Sequence, residues 1–173
     1  MKYYTGTGDT GKTQVRCEMV QKDDQQVEAI GAIDELNSFV GLARSSVKDK
    51  EVDEILEEVQ NKLFTAGAEV GYGKEQKITS DNVKFLEDAT DKYSGKIEDI
   101  RAFIYPVGSE LASRFHVCRS VCRRTERSVW SLSKKEKINP ELLRYLNRLS
   151  SLFFVLARFA NKEAKVKDEV WKI

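Results

Sequence analysis

The sequence is short of proline, histidine and cysteine, and each shortage narrows what the protein can be. Only Pro106 and Pro140 interrupt 173 residues, which permits long helices because proline is the strongest helix breaker. One histidine, His116, and three cysteines, Cys17, Cys118 and Cys122, with no CxxC spacing, do not supply the ligand set of a structural zinc site. The odd cysteine count likewise argues against a disulfide scaffold. No run of about 18 apolar residues is present, so no membrane-spanning helix is expected. Met1-Lys2-Tyr3-Tyr4 lacks the apolar stretch of a signal peptide, which points to the cytoplasm. An excess of one charge is also missing: 29 Lys and Arg face 28 Asp and Glu, a net charge of +1. No global field therefore draws this chain to nucleic acid or to an anionic membrane, and any anion site must come from local clustering. With 40% hydrophobic and 33% charged residues, the length fits one globular domain over residues 1–173.

What is present is helical periodicity. The first dozen residues, rich in glycine and threonine, have no apolar period and read as loop. From about Asp24 two rows recur at helical spacing: Val27, Ile30, Asp34, Asn37 and Gly41, beside Ile33, Leu36, Val40 and Ala43. From about Glu51 to Val70 the residues Val52, Ile55, Val59, Leu63, Ala66 and Val70 form one apolar side. The stretch 71–95 is polar, with Ser80 or Asp81 able to cap a shorter helix through Leu86 and Ala89. Phe103-Ile104-Tyr105-Pro106 is too short for a bundle helix and reads as a buried connector. Leu111, Phe115, Cys118, Cys122, Val129 and Leu132 then mark a helix from about Ser109 to Leu132. Asn139-Pro140-Glu141 supplies a cap, a first-turn proline and a first-turn acid for a last helix ending near Asn161 or Lys162. No strand-like alternation of useful length is evident, so the expected fold is all-α: four long helices and a shorter one in a five-helix bundle.

Against this regular background three features stand out. Arg119, Arg123, Arg124 and Arg127 place four arginines in nine residues of a balanced chain. At about 100° per residue, Arg119, Arg123, Glu126 and Arg127 share one helical face, and Arg124 points further round. Stacked like charges cost a few tenths of a kcal/mol per pair unless an anion offsets them. Guanidinium forks match phosphate oxygens, so a triphosphate would suit the face. Ion pairing with acids of a neighbouring helix would satisfy it equally. Asp34 in a row of apolar and small residues needs a cation or donors, with Arg119 a candidate, unless that row faces solvent. Gly6 with Gly11-Lys12-Thr13 matches GxxxxGK[ST], but no parallel sheet surrounds it, so a P-loop fold and a P-loop NTPase are rejected. A glycine-rich loop can still wrap phosphate oxygens through its N–H groups. His116, without a second ligand at metal spacing, is assigned a structural or hydrogen-bonding role, and Cys118 and Cys122 are assigned to the core.

These residues resemble the PduO-type ATP:cob(I)alamin adenosyltransferases, or corrinoid adenosyltransferases. The resemblance runs through Tyr4-Thr5-Gly6-Thr7-Gly8-Asp9-Thr10-Gly11, Lys22-Asp23-Asp24, Asp34-Glu35-Leu36-Asn37-Ser38, Gly41-Leu42-Ala43-Arg44, Phe103 to Gly108, Arg119 to Arg127 and the helix from Asn139 to Asn161. Gln26, Val107 and Thr125 stand where the family has arginine, glycine and alanine. The resemblance implies a homotrimer with active sites between subunits, transferring adenosyl from ATP to the cobalt of reduced cobalamin and releasing triphosphate. Thr5, Gly6, Thr7, Gly8, Thr13 and Lys22, in a nucleotide-binding loop over about 4–22, would line the ATP site from one subunit. Arg123, Arg124, Glu126, Arg127 and Asn147 would complete it from the next, with Mg²⁺ accompanying the phosphates. Asp34 and Arg119 would pair across the interface, and Phe103 would crowd the lower face of the corrin. A reductase and an adenosylcobalamin-dependent client enzyme would be partners. A non-catalytic carrier of ATP and adenosylcobalamin is the alternative reading.

Overall fold

The computed structural model describes residues 2–73 and 76–172. Lys74 and Glu75, inside the polar stretch 71–95, lie outside the described residues, as do Met1 and Ile173, the two ends of the expected 1–173 domain. Five helices form in chain order: α1 (Gln25–Arg44), α2 (Lys50–Tyr72), α3 (Ser80–Ser94), α4 (Glu110–Leu132) and α5 (Pro140–Glu163). α4 lies at the centre, packed against both α1 and α5, while α2 packs on α1 and α3 on α5. The apolar rows meet in one core that joins all five helices. Val59, Leu63, Leu36, Phe153, Leu146 and Cys122 are among its fully enclosed side chains, each large aliphatic or aromatic one contributing about 1.5–3 kcal/mol by leaving water.

The helix ends follow local chemistry. Asp24, Asp49, Ser109 and Asn139 each accept a backbone N–H of the first turn of α1, α2, α4 and α5, supplying partners for donors that a helix start leaves unpaired. α3 differs from expectation, because its cap is Thr79 rather than Ser80 or Asp81. Asn82 reaches back to accept the Thr79 N–H at 3.0 Å.

Two further expectations are corrected. The segment read wholly as loop contains an antiparallel hairpin, β1 (Lys12–Val15) and β2 (Glu18–Gln21), paired from Lys12↔Gln21 to Val15↔Glu18. Each strand has four residues and only Val15 is buried, too little alternation to show in the sequence. Arg16 makes the turn with φ 57°. Its Nε donates to the Gly71 carbonyl at 3.1 Å, so the hairpin tip satisfies an orphan acceptor at the end of α2. The connector at Phe103 is not buried either: Phe103, Tyr105 and Pro106 are exposed and only Ile104 is half-buried. Ile104 bridges Val170 in antiparallel fashion, so the segment lies flat along the C-terminal tail instead of entering the core.

Asn139 links two parts of the bundle. It accepts the Glu141 N–H at 3.0 Å and donates to the Ile78 carbonyl at 2.8 Å, while buried. Asn139→Ala removes a cap and leaves the Ile78 carbonyl unpaired, so it should lower unfolding free energy by about 1–3 kcal/mol. A denaturant titration should show an earlier midpoint at unchanged slope.

Candidate active site

Two polar groups of residues face outward from this bundle. The first is the N-terminal loop. Gly6 and Gly11 adopt left-handed φ values of 73° and 80°, a conformation that glycine tolerates without Cβ strain. The Asp9 and Gly11 N–H groups donate to the carbonyls of Gly6 and Gly8 at 3.2 and 3.3 Å. Thr5 and Thr7 join through their hydroxyls at 2.8 Å, and both remain exposed with Gly6. Lys22 folds back over the loop, its Nζ 3.2 Å from where a Cβ on Gly8 would stand. The loop thus offers one ammonium, several hydroxyls and close backbone approach. Gly11-Lys12-Thr13 enters a strand and not a helix, so the P-loop architecture is absent here.

The second group lies on α4 and α5. Arg123 and Arg127 are exposed and have no ion-pair partner among the described residues. Arg124 points round toward α1, as its phase predicts, and pairs with Glu35. Glu126 does not neutralise an arginine: it accepts from Asn147 Nδ2 at 3.0 Å, and Asn147 Oδ1 accepts from Arg148 at 2.8 Å. Arg119 is half-buried, and its Nε is enclosed without a hydrogen bond. Burial, then the charge of Arg123 one turn on, pushes its pKa below the ordinary arginine value.

Asp34 and Arg119 do not meet within the chain. The Asp34 side chain is exposed, with no counter-charge among the described residues. It lines an open cavity of about 780 Å³ between the hairpin, α1 and α2. Phe64 and Tyr72 also line that cavity while remaining 68% and 63% exposed. Phe103, 78% exposed, stands apart on the connector with its ring edge-to-face against Trp171 at 6.2 Å. Within one chain, then, the structure groups the loop with Lys22, and Arg123 with Arg127. No hydrogen bond or ion pair among the described residues joins these groups to each other or to Phe103. Glu35 and Arg16 emerge only from the structure, because their partners lie in distant elements.

These geometric features have relatives. A profile of the cobalamin adenosyltransferase family matches residues 3–160. The chain belongs to that family. It is 40% identical to a corrinoid adenosyltransferase of Bacillus subtilis, covering 97% of this chain and 91% of the relative. It is 36% identical to the corrinoid adenosyltransferase PduO of Citrobacter freundii over 100% of this chain, but spans only 54% of that relative's length. A solved variant of a PduO-type ATP:corrinoid adenosyltransferase from Lactobacillus reuteri, complexed with cobalamin and ATP, superposes with a TM-score of 0.92 at 34% identity, covering 99% and 100% of the two chains. Among the described residues of this cobalamin adenosyltransferase family member no group of His, Cys, Asp and Glu could hold a metal ion, and no helix is long and apolar enough to cross a membrane.

The thiols and the imidazole sit inside. Cys118 and Cys122 are buried, donating to the carbonyls of Phe39 and Leu146 at 3.3 and 3.2 Å, and burial pushes the Cys118 thiol up to about 12. His116 is buried edge-on to Phe154, and neither ring nitrogen finds a hydrogen bond. His116 does not make, among the described residues, the hydrogen bond the sequence left open. Burial, aided by Arg119 and opposed by Asp168, holds its pKa below 6.5. The unfolded chain takes the proton first as pH falls, so this contribution to stability is complete above about pH 6.5 and is lost as pH drops toward the folded value. His116 is the only imidazole. Melting temperature should fall between about pH 7 and about pH 5.5, and His116→Phe should flatten that dependence in a thermal titration.

Proposed function

We propose that this chain transfers the 5′-deoxyadenosyl group of ATP to the cobalt of cob(I)alamin or a related corrinoid, releasing triphosphate and forming adenosylcobalamin. The observation that carries this reading is the Arg123 and Arg127 pair, exposed and without an ion-pair partner among the described residues of a chain whose charges otherwise balance. Guanidinium forks held on a rigid helix suit the charge that builds on a departing triphosphate. Asn147 and Glu126, joined to each other beside that face, would orient the nucleotide. Thr5, Gly6, Thr7, Gly8, Thr13 and Lys22 would wrap the phosphates of the same ATP. Mg²⁺ would arrive on those phosphates, since it is usually held by phosphate oxygens with only one or two protein ligands.

Reduced cobalt is itself a strong nucleophile, so the protein supplies alignment and electrostatics, not a base. Phe103 would stand against the lower face of the corrin. Replacing a donor ligand with an apolar wall removes electron donation to cobalt and makes its Co(II) state easier to reduce. A reductase would deliver that electron, and an adenosylcobalamin-dependent enzyme would take the product.

Completion of the site would come from a second copy in a homotrimer of single-domain chains. The unpaired carboxylate of Asp34, the orphaned Nε of Arg119 and the exposed rings of Phe64 and Tyr72 support that assembly, because neither polar group has a partner among the described residues and both rings stay open to solvent. Asp34→Ala should shift the assembly toward monomer in sedimentation velocity. An unchanged sedimentation coefficient would remove Asp34 from the interface.

The deciding assay is anaerobic incubation with ATP, Mg²⁺ and chemically reduced cob(I)alamin, following the corrin spectrum and released triphosphate. Both products should accumulate in equal amounts over many turnovers. Binding of ATP and adenosylcobalamin without turnover would favour a carrier. Arg123→Ala should cut turnover by about 100-fold or more at saturating ATP, as loss of one oriented donor to a charged leaving group does. Phe103→Ala should keep ATP affinity while slowing reduction and transfer when the assay starts from cob(II)alamin, and equal rates for the two proteins would dismiss the wall.

A further inference from the structure

Phe103 presents a physical difficulty. Its ring is largely exposed and rests only edge-on against Trp171, so side-chain burial cannot fix its position. An aromatic wall must nevertheless stand within about an ångström of its place, because small misplacements cost large factors in rate. The backbone must therefore hold it.

The restraints converge on one polar cluster. After α5 the chain turns at Lys165, with φ 55°, and runs back beside the connector. Tyr105 N–H donates to the Glu169 carbonyl and Trp171 N–H to the Phe103 carbonyl, both at 2.8 Å, flanking the Ile104↔Val170 bridge. The tail is anchored behind this bridge by Asp168. One carboxylate oxygen accepts from Arg158 Nε at 2.7 Å and the other from Asn161 Nδ2 at 3.1 Å, with the Arg158 and Asp168 side chains only 10% and 15% exposed. Asn161, buried at the end of α5, also holds the other end of the connector: Oδ1 accepts the Ser109 N–H at 2.9 Å and Nδ2 donates to the Val107 carbonyl at 3.2 Å. Gly108 makes this approach possible, since a Cβ there would lie 2.0 Å from Asn161 Oδ1.

We infer that Asn161 and Asp168 are positioning residues for the adenosyl transfer: they lock the C-terminal tail onto the connector and thereby set the place of Phe103. The inference rests on the reading of Phe103 as the corrin wall. Neither residue touches the reacting atoms; both act through the backbone on either side of Phe103.

Asp168→Ala is the primary variant, because Asp168 lies beyond the last helix, and Asn161→Asp is the second. In amide hydrogen exchange of the full chain, Asp168→Ala should speed exchange at Tyr105 and Trp171 while the helices keep their protection. In the assay started from cob(II)alamin it should lower turnover by about tenfold or more, leave ATP affinity unchanged, and cost less when cob(I)alamin is supplied. It should add nothing further in a Phe103→Ala background, as expected for two residues acting through one element. Asn161→Asp should behave alike, since it keeps the Ser109 acceptor and loses the donor to Val107 and Asp168. Unchanged protection at Tyr105 and Trp171, or additive losses in the double variant, would overturn the inference. If the unaltered protein made no adenosylcobalamin, the transferase reading would fall, and the exchange measurement would still decide whether the lock exists.

Discussion

Arginine side chains on one face of α4 repel each other across single-turn spacings, and Arg119, Arg123 and Arg127 have no ion-pair partner among the described residues. Most of the arrangement around them follows from that constraint. α4 must be anchored firmly enough to carry the repulsion, and its opposite stripe, from Phe115 through Cys122 to Leu132, is sealed between α1 and α5. Glu35 is taken up by Arg124, and Glu126, bonded to Asn147, leaves at most one negative charge against three arginines on that face. What stays positive is therefore a narrow strip on a rigid rod, a better receptor for a multivalent anion than the same charges on a mobile loop. The cost of keeping it open is met by apolar burial, since exposed ion pairs contribute little.

The bundle was readable because helical periodicity and caps are local signals. The buried rows of α2 and α5, and the Asn139 cap, are visible at one-turn range. The hairpin escaped because four-residue strands with one buried side chain carry almost no pattern, and their pairing is completed by contacts of Arg16 with α2. Phe103 misled for a different reason. Apolar character near a proline reads as core, yet an exposed aromatic on a surface connector has the same composition. The loop and arginine residues of the candidate site could be picked out by type and spacing. Which of them share a site could not, because no hydrogen bond or ion pair among the described residues joins Lys22, Arg123 and Phe103 within one chain.

Two of the residues that depart from the family pattern do mechanical work. Gln26 is buried and donates to the Val70 carbonyl at 2.8 Å, fastening the start of α1 to the end of α2. Thr125 is fully buried, and its hydroxyl lies within hydrogen-bond reach of the Ala32 and Val121 carbonyls, at 2.9 and 3.1 Å. One polar atom thus bridges α4 to α1 beneath the arginine face, where alanine would leave only van der Waals contact.

The connector around Gly108 has a consequence for how this sequence can drift. Val107 offers the Asn161 amide only its carbonyl oxygen, which every amino acid possesses, so its side chain is free to change. Gly108, at φ 136° and with Asn161 pressed into the space a Cβ would need, has no such freedom. Two adjacent positions thus evolve under opposite rules. A lineage could exchange the first for almost anything while the second stays glycine for as long as residue 161 remains an asparagine in this pose.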